Sequence, residues 1–339
     1  IIGAGFASGK EIYQYFAKFG SVCFALLPIL FLVLFFSILL LLKLGQKLKI
    51  NYINELNEKL FKNKNTINIF TFLTFLILSA AMFSGIYNLF LIYFNFLNKY
   101  FLLFLCVILT YLLSFVNIKT FSLISNIIVP IIIVLMCVNC GNIVLNLDCY
   151  TIQPNFSFIA FVLPFLYAFQ NVFLSSFVIV KSAKTLSKNS CFFVSLISST
   201  ILTMLLLLGC LALLKCPMPY SNLPFVETAN SLGKTFGIFY GVVMFFAVIT
   251  TYITTLTTLQ EFFCGKKFYN KKIFMIVLVC VLGLFDFKVF VKNLYPIIGI
   301  IGFLYLAACK SLLNKTSAEA RQNFYTPKTN YTTSKKKNS

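Results

Sequence analysis

The stretch IIGAGFASGKEIYQYF, residues 1–16, places Gly3, Gly5 and Gly9 inside an apolar run and follows them with an adjacent ionisable pair, Lys10 and Glu11. In water a run of glycines is ordinary turn material. In hydrocarbon every backbone N–H and C=O must find a partner, so the same run is either a packing face or an interruption of helix lined by protein or water. The solvent around residues 1–16 therefore decides the fold.

Composition identifies that solvent. Of 339 residues, 60% are hydrophobic, 17% aromatic and only 11% charged, far from soluble averages. Apolar runs have the length a helix needs to cross roughly 30 Å of hydrocarbon at about 1.5 Å per residue. They fall at about 1–19, 21–45, 67–96, 99–116, 120–146, 154–180, 190–214, 235–262, 272–285 and 289–310. The expectation is an all-α integral membrane protein with ten transmembrane helices.

A net charge of +20 in a soluble chain would point to nucleic acid, but here the lysines fill the connections between spans. Nucleic acid is therefore excluded as a partner. Alternate connections carry Lys43, Lys47, Lys49, Lys59, Lys62 and Lys64, then Lys119, then Lys181, Lys184 and Lys188, then Lys266, Lys267, Lys271 and Lys272, then the basic tail. The opposite connections hold only Lys10, Lys18, Lys99, Lys215, Lys234, Lys288 and Lys292, and the one around Asp148 holds no basic residue. The positive-inside rule then puts both termini of a multi-pass membrane protein in the cytoplasm.

Residues 1–147 and 148–314 read as two five-helix units of opposite topology, and 315–339 as a disordered basic tail suited to anionic lipid. The polar segment from Ser221 to Gly233 reads as a short interfacial helix after Pro224. The chain opens on Ile1 within an apolar run, so no cleavable leader is visible and the first helix is expected to start before Ile1. Most of the eleven cysteines lie inside apolar runs as small hydrophobes, and Cys137 with Cys140 form a CxxC without any His nearby. A disulfide among Cys140, Cys149 and Cys216 stays open.

GAGFASG then has two readings: a break whose restarting helix, near Ser8, offers N–H groups and a positive dipole end to a carboxylate, or a close-packing face. Lys10 and Glu11 favour the first, because ionisable side chains near mid-membrane need water, a partner or a substrate. Being adjacent, they point to different sides of the helix.

The sixth span, FVLPFLYAFQNVFLSSFVIV at 161–180, supplies a second candidate break. Pro164 removes a donor, and Gln170 and Asn171 are amides deep in an apolar run. They serve either a ligand or an interhelical hydrogen bond. In the eighth span Gly233, Gly237 and Gly241 form a packing stripe, and Thr250, Thr251, Thr254, Thr255, Thr257 and Thr258 follow. Most such hydroxyls bond back to their own helix. Two of them with freed carbonyls make the all-oxygen shell that a hard cation prefers.

These residues resemble the YkvI-type bacterial membrane proteins, a family related to the amino acid, polyamine and organocation transporter superfamily. The likeness rests on IIGAGFASGKEIYQYF, on Tyr167 with Asn171, on Thr250–Thr251, and on KNLYPIIGIIG with Tyr295, Pro296, Gly299 and Gly302. It implies the leucine-transporter fold, a 5+5 inverted repeat with helices 1 and 6 discontinuous. It further implies a substrate cavity lined by Gly3, Ala4, Gly5, Phe6, Ala7, Ser8, Gly9 and Glu11 with Tyr167, Gln170 and Asn171. A bound sodium ion would take the Ile2 carbonyl and the Thr250 and Thr251 hydroxyls; no other cofactor is implied.

The function expected is secondary active transport of a small, amino-acid-like solute by alternating access, coupled to sodium. The rival is a membrane scaffold or sensor that keeps the fold without transport. An enzyme is not expected, since there is no His and Glu11 is the one carboxylate placed on the pathway. Solute identity and oligomeric state are not encoded in these patterns.

Overall fold

Apolar runs of this length fold as helices because a helix pairs its own backbone groups, and the runs are almost entirely helical where they are described in the computed structural model of the protein, which describes residues 3–50, 53–61, 64–116, 118–146, 156–216, 221–261 and 268–325. The opening segment comprises α1 (Ala4–Ala7), α2 (Lys10–Tyr15) and a 3-10 turn at Ala17–Phe19. Then come α3 (Val22–Leu48), α4 (Ile53–Leu60), α5 (Lys64–Tyr93), α6 (Lys99–Leu113) and α7 (Ile118–Asn146). The second half holds α8 (Phe158–Ser182), α9 (Lys188–Lys215), α10 (Pro224–Leu232), α11 (Lys234–Glu261), α12 (Phe268–Leu282), α13 (Phe287–Val289) and α14 (Tyr295–Tyr325). No strand occurs among the described residues. Seven of the described helices are long and apolar enough to cross a membrane, and the chain is a multi-pass membrane protein. α6 and α12 are apolar but shorter, at 15 residues each.

The helices pack in two groups. α3 lies against α8 and α9, and α2 touches both of those as well. α5 lies against α11, α12 and α6. α7 joins the groups by packing on α11 and α9, while α14 lies along α8 and α3. Very close contacts use glycine: a Cβ built on Gly299 of α14 falls 2.6 Å from the Leu166 carbonyl oxygen of α8, and one on Gly302 falls 2.5 Å from that of Phe169. Of the expected stripe, Gly241 packs against the Tyr93 ring and Gly237 against Asn230, with the Gly237 carbonyl accepting from Tyr93 Oη at 2.5 Å, whereas Gly233 precedes α11 and a Cβ there meets no described atom within 4 Å.

Three expectations are corrected. The sixth span is not discontinuous, because α8 is a single α-helix across Pro164 and through Tyr167–Asn171. The physical reason lies in its amides: Asn171 Nδ2 donates to the Tyr167 carbonyl one turn back at 3.0 Å, and Gln170 Oε1 accepts from Tyr15 Oη at 2.8 Å. Both are satisfied without unwinding the backbone.

The segment from Lys315 is not disordered throughout, since α14 continues to Tyr325; residues 326–339 lie outside the described residues. The helix after Pro224 exists as α10, yet Phe225 and Val226 bury their side chains in the protein rather than in lipid. The connection between α3 and α5 also contains α4, whose buried Asn57 donates to Asn68 Oδ1 and Thr71 Oγ1.

Candidate functional site

The opening segment is broken as the glycines suggest. α1 ends at Ala7 and α2 restarts at Lys10, with Gly9 between them at φ 80 and ψ −8. Ser8 shapes the break: its Oγ donates to the Gly5 carbonyl at 2.8 Å and accepts from the Lys10 N–H at 3.1 Å. The carbonyls freed at the break are taken up by the second half of the chain. Tyr240 Oη of α11 donates to Ala7 O at 2.6 Å, and the Phe225 N–H of α10 donates to Ser8 O at 3.1 Å. This is the condition for interrupted helix in an apolar medium: protein supplies every partner that water cannot.

A side chain at position 9 meets two obstacles. The left-handed backbone is unfavourable for L residues by about 1–2 kcal/mol, and a Cβ there lies 2.9 Å from the Phe225 ring. Gly9→Ala is therefore expected to lower the thermal unfolding midpoint of the purified protein by several degrees. An unchanged midpoint would show that the break tolerates an ordinary residue.

Lys10 and Glu11 leave the short α2 in different directions, as adjacency requires. Lys10 Nζ donates to the Ser221 carbonyl ahead of α10 at 2.6 Å. Glu227 of α10 is its acidic neighbour, and burial holds that carboxyl above its usual range while Lys10 opposes the shift. Glu11, also buried, folds back over Gly5, whose missing Cβ makes room for the carboxylate. Tyr15, Tyr167 and Tyr295 surround it.

Glu11 lines a cavity of about 350 Å³ between the two helix groups. Gly3 and Gly5 line it from the opening segment, Gln170 and Asn171 from α8, and Thr250 and Thr251 from α11. Phe75, Leu78 and Met82 of α5 form an apolar wall. Tyr295 enters from α14, where Pro296 offers no donor to the carbonyl four residues earlier and the preceding turn, Phe290–Leu294, is π-helical. Along α8 the lining runs from Gln170 to Ile179, about 13 Å of helix axis. Glu11 carries the one carboxyl group among the described lining residues, which include no Lys or Arg.

Sequence reasoning named seven residues that the cavity brings together: Gly3, Gly5, Glu11, Gln170, Asn171, Thr250 and Thr251. Phe6, Ala7, Ser8 and Gly9 do not line it; they are spent on the break and its cover under Phe225 and Tyr240. Tyr167 sits behind the lining, its ring 5.4 Å from Tyr15 and 5.3 Å from Phe16. Its buried hydroxyl has no hydrogen-bond partner among the described residues. Ala4 falls in α1 and its side chain is not described; Ile2, and Cys149 of the open disulfide question, lie outside the described residues. Cys140 is a buried thiol, and Cys216 Sγ lies 2.7 Å from Thr228 Oγ1.

Ser175, Thr254 and Thr255 also line the cavity and were missed as site residues. Each stands four residues beyond a named one, so helical periodicity on α8 and α11 was the available signal.

The six threonines from Thr250 to Thr258 all bond back to their own helix, as expected of membrane hydroxyls. Thr250 and Thr251 Oγ1 both donate to Ala247 O at 3.0 Å, which leaves their lone pairs as acceptors. Thr251 Oγ1 also faces Gly3, where a Cβ would stand 3.3 Å from it. An oxygen-only donor set of this kind fits a hard cation.

No protein-family model matches the chain, and no curated protein matches its sequence.

Proposed function

We propose that the chain is a secondary active transporter that carries a small, amino-acid-like solute by alternating access, coupled to sodium. The observation that carries this reading is the convergence of Glu11, the two α8 amides and the α11 threonines on one cavity beside a broken helix. Glu11 suits an ammonium group, while Gln170, whose oxygen is held by Tyr15, has its amide N–H groups to offer a carboxylate. Sodium would be held by Thr250 and Thr251 with carbonyls of the opening segment. The ion would supply positive charge next to the solute carboxylate.

A ten-span 5+5 inverted repeat of the leucine-transporter type, and with it the YkvI-type relationship, belong to the same proposal. Helix lengths support it: α3, α5, α6 and α7 have 27, 30, 15 and 29 residues, and α9, α11, α12 and α14 have 28, 28, 15 and 31. The short α4 and α10 fall at equivalent places. Packing repeats as well, because α3 on α8 and α14 is mirrored by α9 on α2 and α7. In this arrangement the first, second, sixth and seventh spans rock against the third, fourth, eighth and ninth. The lysine distribution supports cytoplasmic termini, and the YkvI-type resemblance supports a bacterial inner-membrane location.

The unbroken α8 is the observation that favours the rival, a scaffold or sensor with the same fold, since it leaves only one loosened helix at the cavity. Thermal unfolding of the full-length protein against small amino acids and amines, with sodium or potassium, separates the two. The transporter reading expects a midpoint raised by one such solute, and raised further by sodium, because ligands that bind the native state stabilise it. Uptake into vesicles should then follow an imposed sodium gradient. Uptake driven by a pH step and indifferent to sodium would reassign the coupling ion, and a midpoint unmoved by any solute would favour the scaffold.

A further inference from the structure

We propose a second binding site: the hollow between the end of α3, the α8–α9 connection and α14 takes the phosphate headgroup of an anionic phospholipid. It has a volume of about 1040 Å³ and is lined by Lys43 and Lys47 of α3, Lys184 of the connection and Lys188 at the start of α9. No carboxylate is among its described lining residues. Lys43 and Lys47 stand one helical turn apart on α3, so both line the same hollow.

The two sides of the hollow are tied together. Gln46 Nε2 in the last turn of α3 donates to the Leu186 carbonyl at 2.6 Å, which holds one lysine pair opposite the other. Ser187 caps α9 by accepting from the Ser190 N–H at 3.1 Å, and the positive end of the α9 dipole adds to the field of the lysines.

Position identifies the occupant as a lipid. α3 and α8 end here and α9 begins here, so the hollow stands at the level where membrane-crossing helices leave the hydrocarbon. Its apolar side, Leu39 and the exposed Phe192, continues to the exposed Phe193, a surface for an acyl chain. Basic hollows between spans on the cytoplasmic side are suited to anionic headgroups. The proposal stands apart from the transport reading and survives its failure.

The test uses the full-length protein in neutral detergent, supplied in turn with phosphatidylglycerol, phosphatidylcholine or inorganic phosphate. Lipid retention is read by native mass spectrometry and stability by thermal unfolding. Phosphatidylglycerol should be retained and raise the midpoint, and the other two should do neither. Each lysine near the headgroup contributes about fivefold in affinity, so the variant with Lys43, Lys47, Lys184 and Lys188 all changed to Gln should lose at least about a hundredfold. The same four changed to Arg should keep retention, as should a control with Lys99, Lys234, Lys288 and Lys292 changed to Gln. If the fourfold Gln variant fails to fold, Lys47→Gln and Lys188→Gln singly should each lose about fivefold. Equal retention of phosphatidylcholine, equal loss in the control, or stabilisation by inorganic phosphate alone would overturn a lipid site.

Discussion

Glu11→Gln is expected to reduce solute uptake by at least about a hundredfold while leaving the fold intact. The substitution keeps the shape that rests over Gly5 and removes only the charge. Truncating one partner of a buried, hydrogen-bonded charge pair is worth about 2–5 kcal/mol; the middle of that range is a few hundredfold in affinity. The carboxyl lost is the one among the described lining residues of the cavity, so no neighbour there takes over its role. Vesicle uptake at matched expression, with the thermal midpoint as a check on folding, reads the effect. Asn171→Ala should also abolish uptake, by removing a polar lining group that is held in place by the Tyr167 carbonyl. Wild-type levels of uptake in both variants would take the solute site away from Glu11 and Asn171, and a wild-type protein that takes up no solute, with both variants folded like it, would end the transport reading.

The span pattern was legible because it depends on length and hydropathy alone, and the Gly9 break was legible because glycine tolerates a positive φ. The course of the sixth span was not. Pro164 and two amides look like a break in one dimension, but whether an amide loosens a helix depends on partners distant in sequence. Tyr15 meets Gln170 from 155 positions away. The site was half legible for a related reason. Glu11 and the threonines stand out as polar atoms in apolar runs, whereas Phe6 to Gly9 could be assigned to the cavity or to its cover only once α10 was in place. α10 itself was read as lying on lipid because sequence shows that a face is apolar without showing what covers it. Phe225 covers Gly9.

The straight course of α8 also rests on α14, and this leads to the largest expected change in stability. Gly299 and Gly302 bring α14 onto the backbone of α8, where a Cβ would stand 2.6 Å and 2.5 Å from the carbonyl oxygens of Leu166 and Phe169. A carbonyl in a helix cannot rotate aside as a side chain can, so the helices must separate. Helix propensity opposes this prediction, since glycine within a helix is about 1 kcal/mol worse than alanine. Overpacking wins, at about 1–3 kcal/mol per site. Gly299→Val with Gly302→Val is therefore expected to lower the unfolding midpoint by roughly 3–8 degrees on the usual relation of free energy to midpoint for a chain of this length. Solute binding should fall with it even though Glu11 is untouched, because the displaced helix carries Gln170 and Asn171. Gly141→Ala on α7 is the control. No atom lies within 4 Å of a Cβ there, so propensity acts alone and the midpoint should hold or rise. If the valine pair behaved like Gly141→Ala, α14 would not be what positions α8, and the placement of the two amides would rest on α3 and on Tyr15 of α2.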